Sequence, residues 1–379
     1  MVRLGAELAF ERVPELAKLL LGVSVSADTV RRLTEAAGAA QVVQEEAACR
    51  HLRRDAPDGP AGPAVQQLSA DGAMVPLVGG EWAEVRTIAL GRIELSGGMD
   101  PHATDLRYFS RLCSAARFID WVELPLYEAG TAQAGTVLAI QDGADWLTQL
   151  LDAHCPDAVR ILDFPHAAEH VGRAAQAAFG IDSREASAWL DRWLHELKHG
   201  DPDAVIAAVR ALPASRAEAG AIRDATASYL KRRRSQIAYA AFRAAGYPIG
   251  SGIVESANKL VVEARLKGSG MHWARRNVTP MLALRAVTCS GRWDEAWPGI
   301  WQQLREQAQA RQRARWRTCH EARQEQERAK RAAATLALTG PMLPKEPAKI
   351  VDGRPTADHP WGRGFDQRLC VKAQVRART

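Results

Sequence analysis

No C-x-x-C pair occurs among the six cysteines, Cys49, Cys113, Cys155, Cys289, Cys319 and Cys370. Thiols scattered in this way supply neither a zinc framework nor a disulfide scaffold, and they suit a reducing, cytoplasmic setting. No run of about 18 apolar residues occurs either, which excludes a transmembrane helix and a membrane partner. The most apolar stretch, "LAKLLLGVSV", is too short and too interrupted to span a bilayer. The opening "MVRLGAELAFERVPEL" is punctuated by glutamates and has no small-residue cleavage site, so no secretory signal is expected. Charge of one sign is also scarce: the net charge is only +6, a weak pointer to polyanionic partners. What is present is ample apolar material, 47% of 379 residues, enough to build the cores of two or three domains.

Residues 2 to 50 read as helical. Leu4, Leu8, Val13, Leu16, Leu19 and Leu20 recur at helical spacing, "LGVSVS" makes a turn, and Ser26 is a suitable N-cap for "ADTVRRLTEAAG", which is expected to end at Gly38. Helix, turn and capped basic helix outline a helix-turn-helix in which Arg31 and Arg32 would face DNA; a plain helical hairpin has the same outline. "DAPDGPAGPA" (55–64) reads as a linker. Strands are expected over 65–96, then a helix across "LRYFSRLCSAARFIDWVEL". The apolar runs "TVLAI" and "VRIL" each precede a helical segment, the pattern of a parallel sheet covered by helices. Such sheets bind ligands beyond the carboxyl ends of their strands, and Asp142 and Asp163 stand at those ends. Residues 181–245 show no strand pattern and read as an all-α insertion. Residues 293–337 form a long Arg/Gln-rich helical segment, followed by a basic tail.

Three acidic residues share one kind of setting: Asp71 in a strand region, Asp142 at a strand end and Glu255 in the first turn of a helix. A pair of magnesium ions needs a few carboxylates, with other positions left to water and phosphate, and such a pair drives phosphodiester cleavage. Each residue also has a plainer reading: Asp71-Gly72 as a hairpin turn, Asp142-Gly143 as a strand-to-helix loop, Glu255 as a residue favoured by the helix dipole. Helical spacing puts Ile253, Ala257, Leu260, Val261 and Ala264 on the core stripe, with Glu255 on a second face beside Val262 and Leu266.

"SADGAMVPL", "QDGADWL", "ILDFPHAAEHV", "YPIGSGIVESANKLV" and the late "HPW", in this order, resemble the DDE transposases of bacterial insertion sequences, closest to the ISKra family of the Mutator-like superfamily. The resemblance covers about residues 4 to 363, and "YPIGSGIVESANK" is its most specific part. It implies an α/β fold: a ribonuclease-H-like mixed sheet with an all-α insertion, flanked by an N-terminal helical region and a C-terminal helical, basic region. The expected layout is 1–54 as a helix-turn-helix-like DNA-binding region, 65–180 with 246–292 as the catalytic core, 181–245 as the insertion and 293–379 as the basic segment and tail. By matching position it implies a metal-binding catalytic triad of Asp71, Asp142 and Glu255 holding Mg²⁺ or Mn²⁺. The superfamily's Asp-x-x-His element falls on Asp163 and His166, which leaves Asp163 as a rival for the second-aspartate role. The implied partners are the terminal inverted repeats of an element, target DNA and further copies of the chain, in a nucleoid-associated setting. The Cys-rich, zinc-ribbon-like opening of many relatives is missing, and "MHWARRNVTPML" follows their aromatic pattern only loosely. A nuclease of the same fold without strand transfer, and a truncated protein that only binds DNA, are the alternatives.

The basic residues Lys231, Arg232, Arg233 and Arg234 of "KRRR", with Arg265 and Lys267, are expected phosphate contacts, and Trp273 an expected wedge or stacking residue, although a buried tryptophan fits as well. Arg275, Arg276, Arg311, Arg313, Arg315 and Arg317 extend the cationic character toward the C-terminus. "HELKH" (195–199) spells the H-E-x-x-H zinc-protease motif. Its two histidines, however, lie opposite the apolar face made by Trp189, Leu190, Trp193, Leu194 and Leu197, and Gly200 ends the helix. A protease is therefore not expected.

Overall fold

The computed structural model describes residues 1–55, 57–94, 101–214, 216–339, 350–351 and 354–355. "HPW" and most of the tail lie outside the described residues. The fold is α/β, a five-stranded mixed sheet with many helices. No helix among the described residues is long and apolar enough to cross a membrane. The chain divides into two units, Met1–Ala308 and Gln309–Thr379.

Three helices open the first unit: α1 (Val2–Glu7), α2 (Val13–Leu21) and α3 (Ala27–Asp55). Gly22 closes α2 in the left-handed region at φ 66°, where a side chain would be strained. The Ser26 hydroxyl accepts from the Thr29 N–H at the start of α3. Helix α3 does not stop at Gly38 but runs on to Asp55. Gly38 serves close packing instead: a Cβ there would sit 2.2 Å from the Pro280 carbonyl oxygen on α14 (Arg275–Cys289). The glycine removes the side chain that would keep the two helices apart.

The sheet is built from β1 (Val65–Pro76), β2 (Trp82–Glu94), β3 (His102–Arg111), β4 (Thr136–Gln141) and β5 (Val159–Leu162), in the order β3-β2-β1-β4-β5. The first three run antiparallel, and β1 turns into β2 at Gly79 and Gly80, whose positive φ angles suit the turn. Strands β4 and β5 are parallel to β1. Strand β3 replaces the first part of the helix expected over 106–124. Pairing of Ile88 with Phe109 and of Ala89 with Tyr108 sends the two aromatics to opposite faces, Tyr108 into one core and Phe109 into the other. Cross-strand packing of this kind outweighs weak local helix propensity. The helical part begins only at α4 (Ala115–Trp121), capped by Ser114, and continues as α5 (Glu123–Glu128).

One sheet face packs on α4, α5 and α6 (Asp145–His154) through Leu68, Ala70, Ala139, Leu147 and Leu151. The other face meets two groups of helices. Beside β4 and β5 stand α7 (Phe164–Phe179), α8 (Arg184–His199), α9 (Pro202–Arg210), α10 (Ala217–Arg232) and α11 (Tyr239–Ala244). Beside β1 and β2 stand α12 (Gly252–Ala257), its π-helical continuation Asn258–Glu263, α13 (Ala264–Leu266) and α14. The π-helical stretch alters the expected core stripe. Its wider turn rotates the later residues, so Val254, Ala257, Val261, Val262 and Leu266 are buried while Leu260 is 47% exposed. Helix α15 (Trp293–Thr339) follows.

Candidate active site

The register of the sheet lines up three aspartates. Strand β1 pairs with β4 at an offset of 71, as in Leu68 with Ala139, and β4 pairs with β5 at an offset of 21, as in Gln141 with Leu162. Carried to the strand ends, the same offsets set Asp71 level with Asp142, and Asp142 level with Asp163. Residues in one register row share a face, here the face that carries α7 and α12. Asp71 lies inside β1, opposite Thr87, and not in a hairpin turn.

The three carboxylates differ in what they have left to offer. Asp163 is fully buried, and both of its oxygens are engaged: Oδ1 accepts from the Ser251 N–H at 2.6 Å, and Oδ2 from His166 Nδ1 at 2.7 Å. Oδ2 also accepts from the His166 N–H, capping α7. Burial alone would raise the Asp163 pKa, but the hydrogen bonds from His166 and Ser251 outweigh it and hold the carboxyl below its ordinary range. The bond to Asp163 in turn raises the His166 pKa, and the nearby Asp142 and Asp71 charges add to the effect. Asp163 thus acts as a latch: it joins the end of β5 to the turn before α12, helped by the Phe164 N–H donating to the Ile249 carbonyl and by Gln67 Nε2 donating to the Gly250 carbonyl.

Asp71 and Asp142 remain more open. Asp142 Oδ1 accepts from the Ala144 N–H at 2.9 Å, which shapes the loop after β4. Asp71 accepts from the Gly72 N–H at 2.7 Å and from Asn258 Nδ2 at 2.9 Å. Burial, reinforced by the Asp142 charge, holds the Asp71 carboxyl above its ordinary range despite the lowering effect of the Gly72 N–H. Asn258 is buried, and its Oδ1 has no hydrogen-bond partner among the described residues. It opens the π-helical segment three residues after Glu255, which at helical spacing puts the two on neighbouring positions of one side. Glu255 is exposed. Among the described residues, no three or more His, Cys, Asp or Glu side chains are grouped so as to hold a metal ion, so Glu255 is not brought together with Asp71 and Asp142 into a ligand cluster.

The helical insertion grips the Asp142 loop. The Tyr229 hydroxyl donates to the Asp142 carbonyl at 2.9 Å, and Arg233 Nη2 to the Gly143 carbonyl at 2.7 Å. Arg233 stacks over the Tyr229 ring at 4.0 Å, and His170 stacks on its other contact surface with ring centroids 4.0 Å apart. Gly143, at φ 86°, leaves the room that Arg233 uses. Asn258, Tyr229 and His170 were not singled out in sequence as site residues. The glycine-flanked loop gives no sign of its distant partners, but Asn258 was accessible as the residue three positions after Glu255.

Several expected DNA contacts are placed otherwise. Arg265 is 2% exposed; it donates twice to the Gly5 carbonyl and lies over Phe10 and Trp273. Trp273 is buried, with its Nε1 donating to the Leu266 carbonyl. Both belong to the core because they tie α1 and the end of α12–α13 together, so neither reaches DNA from here. Lys267 pairs with Glu263, Arg31 with Asp28 and Glu35, and Arg32 with Asp28, all on the surface. Arg234 is engaged by Asp203 at 2.5 Å, while Lys231 and Arg232 are exposed and have no partner among the described residues. His195 and His199 are exposed and stacked on one another, with Arg243 at His199. No family model matches the chain, and no curated protein does.

Proposed function

We propose that the chain is a metal-dependent DNA transposase of the ISKra-like type, with a ribonuclease-H-like core. The observation that carries the reading is the alignment of Asp71 and Asp142 across adjacent strands, both half-buried on the helix-covered face and close enough for the Asp142 charge to act on Asp71. The mixed sheet, with an all-helical stretch between β5 and the helix of Glu255, supports the same assignment.

The donor set fits a hard divalent cation such as Mg²⁺. Two carboxylates close enough for one charge to raise the other's pKa are relieved by a cation between them, and the orphaned Asn258 Oδ1 adds a neutral oxygen beside them. Asp71, Asp142 and Glu255 would hold it, and the bound ion would activate the attacking oxygen and stabilise the leaving one at the scissile phosphate. Asp163 is set aside as a ligand because it is fully buried and holds His166 and Ser251, whereas Asp71 and Asp142 are only half-buried. Its task is to set the turn from which α12 presents Glu255. Asn258 orients the Asp71 carboxylate. His166, bound to Asp163, lies near the acidic pair, whose charges add to the rise in its pKa. Cleavage at element ends leaves 3′-hydroxyls, which then attack target DNA in the same site.

The test is cleavage and joining of element-end DNA with Mg²⁺ by purified protein. Asp71→Asn, Asp142→Asn and Glu255→Gln should each lower cleavage by orders of magnitude while DNA binding persists. Their effects should not add, because they serve one site. Cleavage without joining by the parent would favour the nuclease. Binding with no chemistry in parent and variants alike would leave a protein that only occupies DNA.

A further inference from the structure

From Gln309 to His320, α15 carries Arg311, Arg313, Arg315 and Arg317 with no acidic residue between Glu306 and Glu321. All four arginines are exposed, and none has a hydrogen-bond or ion-pair partner among the described residues. Trp316 is 66% exposed and stacks on His320 at 5.0 Å. An exposed tryptophan amid unpaired cations is not a core residue. At roughly 100° per residue, the arginines fall into two i, i+4 pairs on either side of Trp316. Arg313 and Arg317 lie along one edge, bordering a shallow hollow shared with Gln312 and Trp316. Arg315, with Arg311 beyond it, lies along the other. The face between the edges carries Gln309, Gln312, Trp316 and His320.

We infer that this segment is a duplex-DNA contact in its own right, laid in the major groove with one arginine pair on each phosphate backbone. The dimensions agree: a helix with its side chains is about 10–12 Å across, and the major groove is about 12 Å wide. Cations on both edges meet both strands, whereas a helix on a flat anionic surface needs only one charged edge. Gln312 and Trp316 on the middle face then meet base edges and thymine methyl groups. A coiled coil with a second copy fits poorly, because the middle face is polar apart from Trp316 and four like charges would be brought together. The inference rests on the reading of the chain as a DNA enzyme, but it needs binding alone.

The experiment measures affinity of the full chain for a random-sequence duplex between 50 and 200 mM salt. The parent is compared with a variant carrying Arg311→Gln, Arg313→Gln, Arg315→Gln and Arg317→Gln, and with Trp316→Ala, their helicity checked by circular dichroism. Each lost phosphate contact lowers the slope of log affinity against log salt by about 0.9, so the fourfold variant should flatten it by roughly 3 to 4 units. Trp316→Ala should weaken binding several-fold at unchanged slope. An unaltered slope in the fourfold variant overturns the groove contact, as does a loss confined to single-stranded DNA or a change in oligomeric state with duplex affinity kept. A parent that does not bind duplex at all would instead remove the transposase reading itself, whatever the variants do.

Discussion

The Tyr229 hydroxyl donates to the backbone carbonyl of Asp142 at 2.9 Å, so a residue of the helical insertion fixes the backbone of a proposed ligand 87 positions earlier. Arg233 repeats the hold one residue on, at Gly143. The insertion therefore shapes the site as well as bordering it. Partners of this kind orient ligands without touching the ion, and their loss typically costs about 10- to 100-fold in metal affinity or activity. Tyr229→Phe keeps the ring between His170 and Arg233 and removes only the donor. It should raise the Mg²⁺ midpoint for cleavage several-fold, with rates partly restored at high Mg²⁺ and DNA affinity unchanged. Titration of cleavage rate against Mg²⁺ checks this; an identical midpoint would mean that the loop holds its shape unaided.

Asp163 and His166 should show their pairing as a pH-dependent stability. His166 has its pKa raised above the ordinary 6.5 by Asp163, so its contribution is complete below that value and disappears as pH rises through the folded pKa. Asp163 has its pKa lowered below 3.8, so its contribution is present above that value and lost as pH falls through the folded one. Both are in force between about pH 4 and 6.5. The melting-temperature deficit of His166→Gln should be largest in that window and shrink by pH 9. A deficit of equal size at pH 5.5 and 9 would show that the imidazole contributes by packing alone.

Spacing alone left Asp71, Asp142 and Glu255 with plainer readings, and the triad came from the resemblance; what the sheet adds is the register that sets Asp71 level with Asp142. The choice between Asp142 and Asp163 was not legible in the chain. Both follow apolar strands, and only the tertiary structure shows that Asp163 is fully buried and bound to Ser251 and His166 while Asp142 is half-buried. Strand β3 was hidden for a similar reason, since "LRYFSR" acquires its alternation only when β2 sets which aromatic faces which core. Gly38 looked like a stop because a glycine that ends a helix and one that lets another helix approach are identical in sequence. Arg265 looked like a surface phosphate contact, and Trp273 fitted either a stacking or a buried role, because charge and aromaticity cannot settle exposure until a partner such as the Gly5 carbonyl is known.

Arg265 should matter to folding and not to DNA. Arg265→Gln leaves the Gly5 carbonyl short of donors and removes the cation from Phe10 and Trp273. The expected loss is about 2–4 kcal/mol of unfolding free energy, from a buried unmet acceptor and a desolvated cation–π contact. Urea denaturation measures it. The salt dependence of DNA binding, taken at a temperature where the variant is folded, should match that of the parent. A flatter slope would place Arg265 on DNA after a rearrangement of α1.

The four residues of "KRRR" should separate into two classes when each is replaced by alanine. Lys231 and Arg232 are exposed and have no partner among the described residues, which leaves them free to exchange counterions for phosphates. Each should lower the slope of log affinity against log salt by about 0.9. Arg234 spends its guanidinium on the Asp203 carboxylate through three contacts of 2.5 to 2.8 Å, and Arg233 spends its own on Gly143 and Tyr229. Neither should alter the slope. Arg233→Ala should nevertheless slow cleavage, because the loop carrying Asp142 loses one of its two anchors, whereas Arg234→Ala should not. Four equal changes in slope would mean that the Asp203 and Gly143 contacts open when DNA arrives, and the insertion would then bind as one continuous cationic patch.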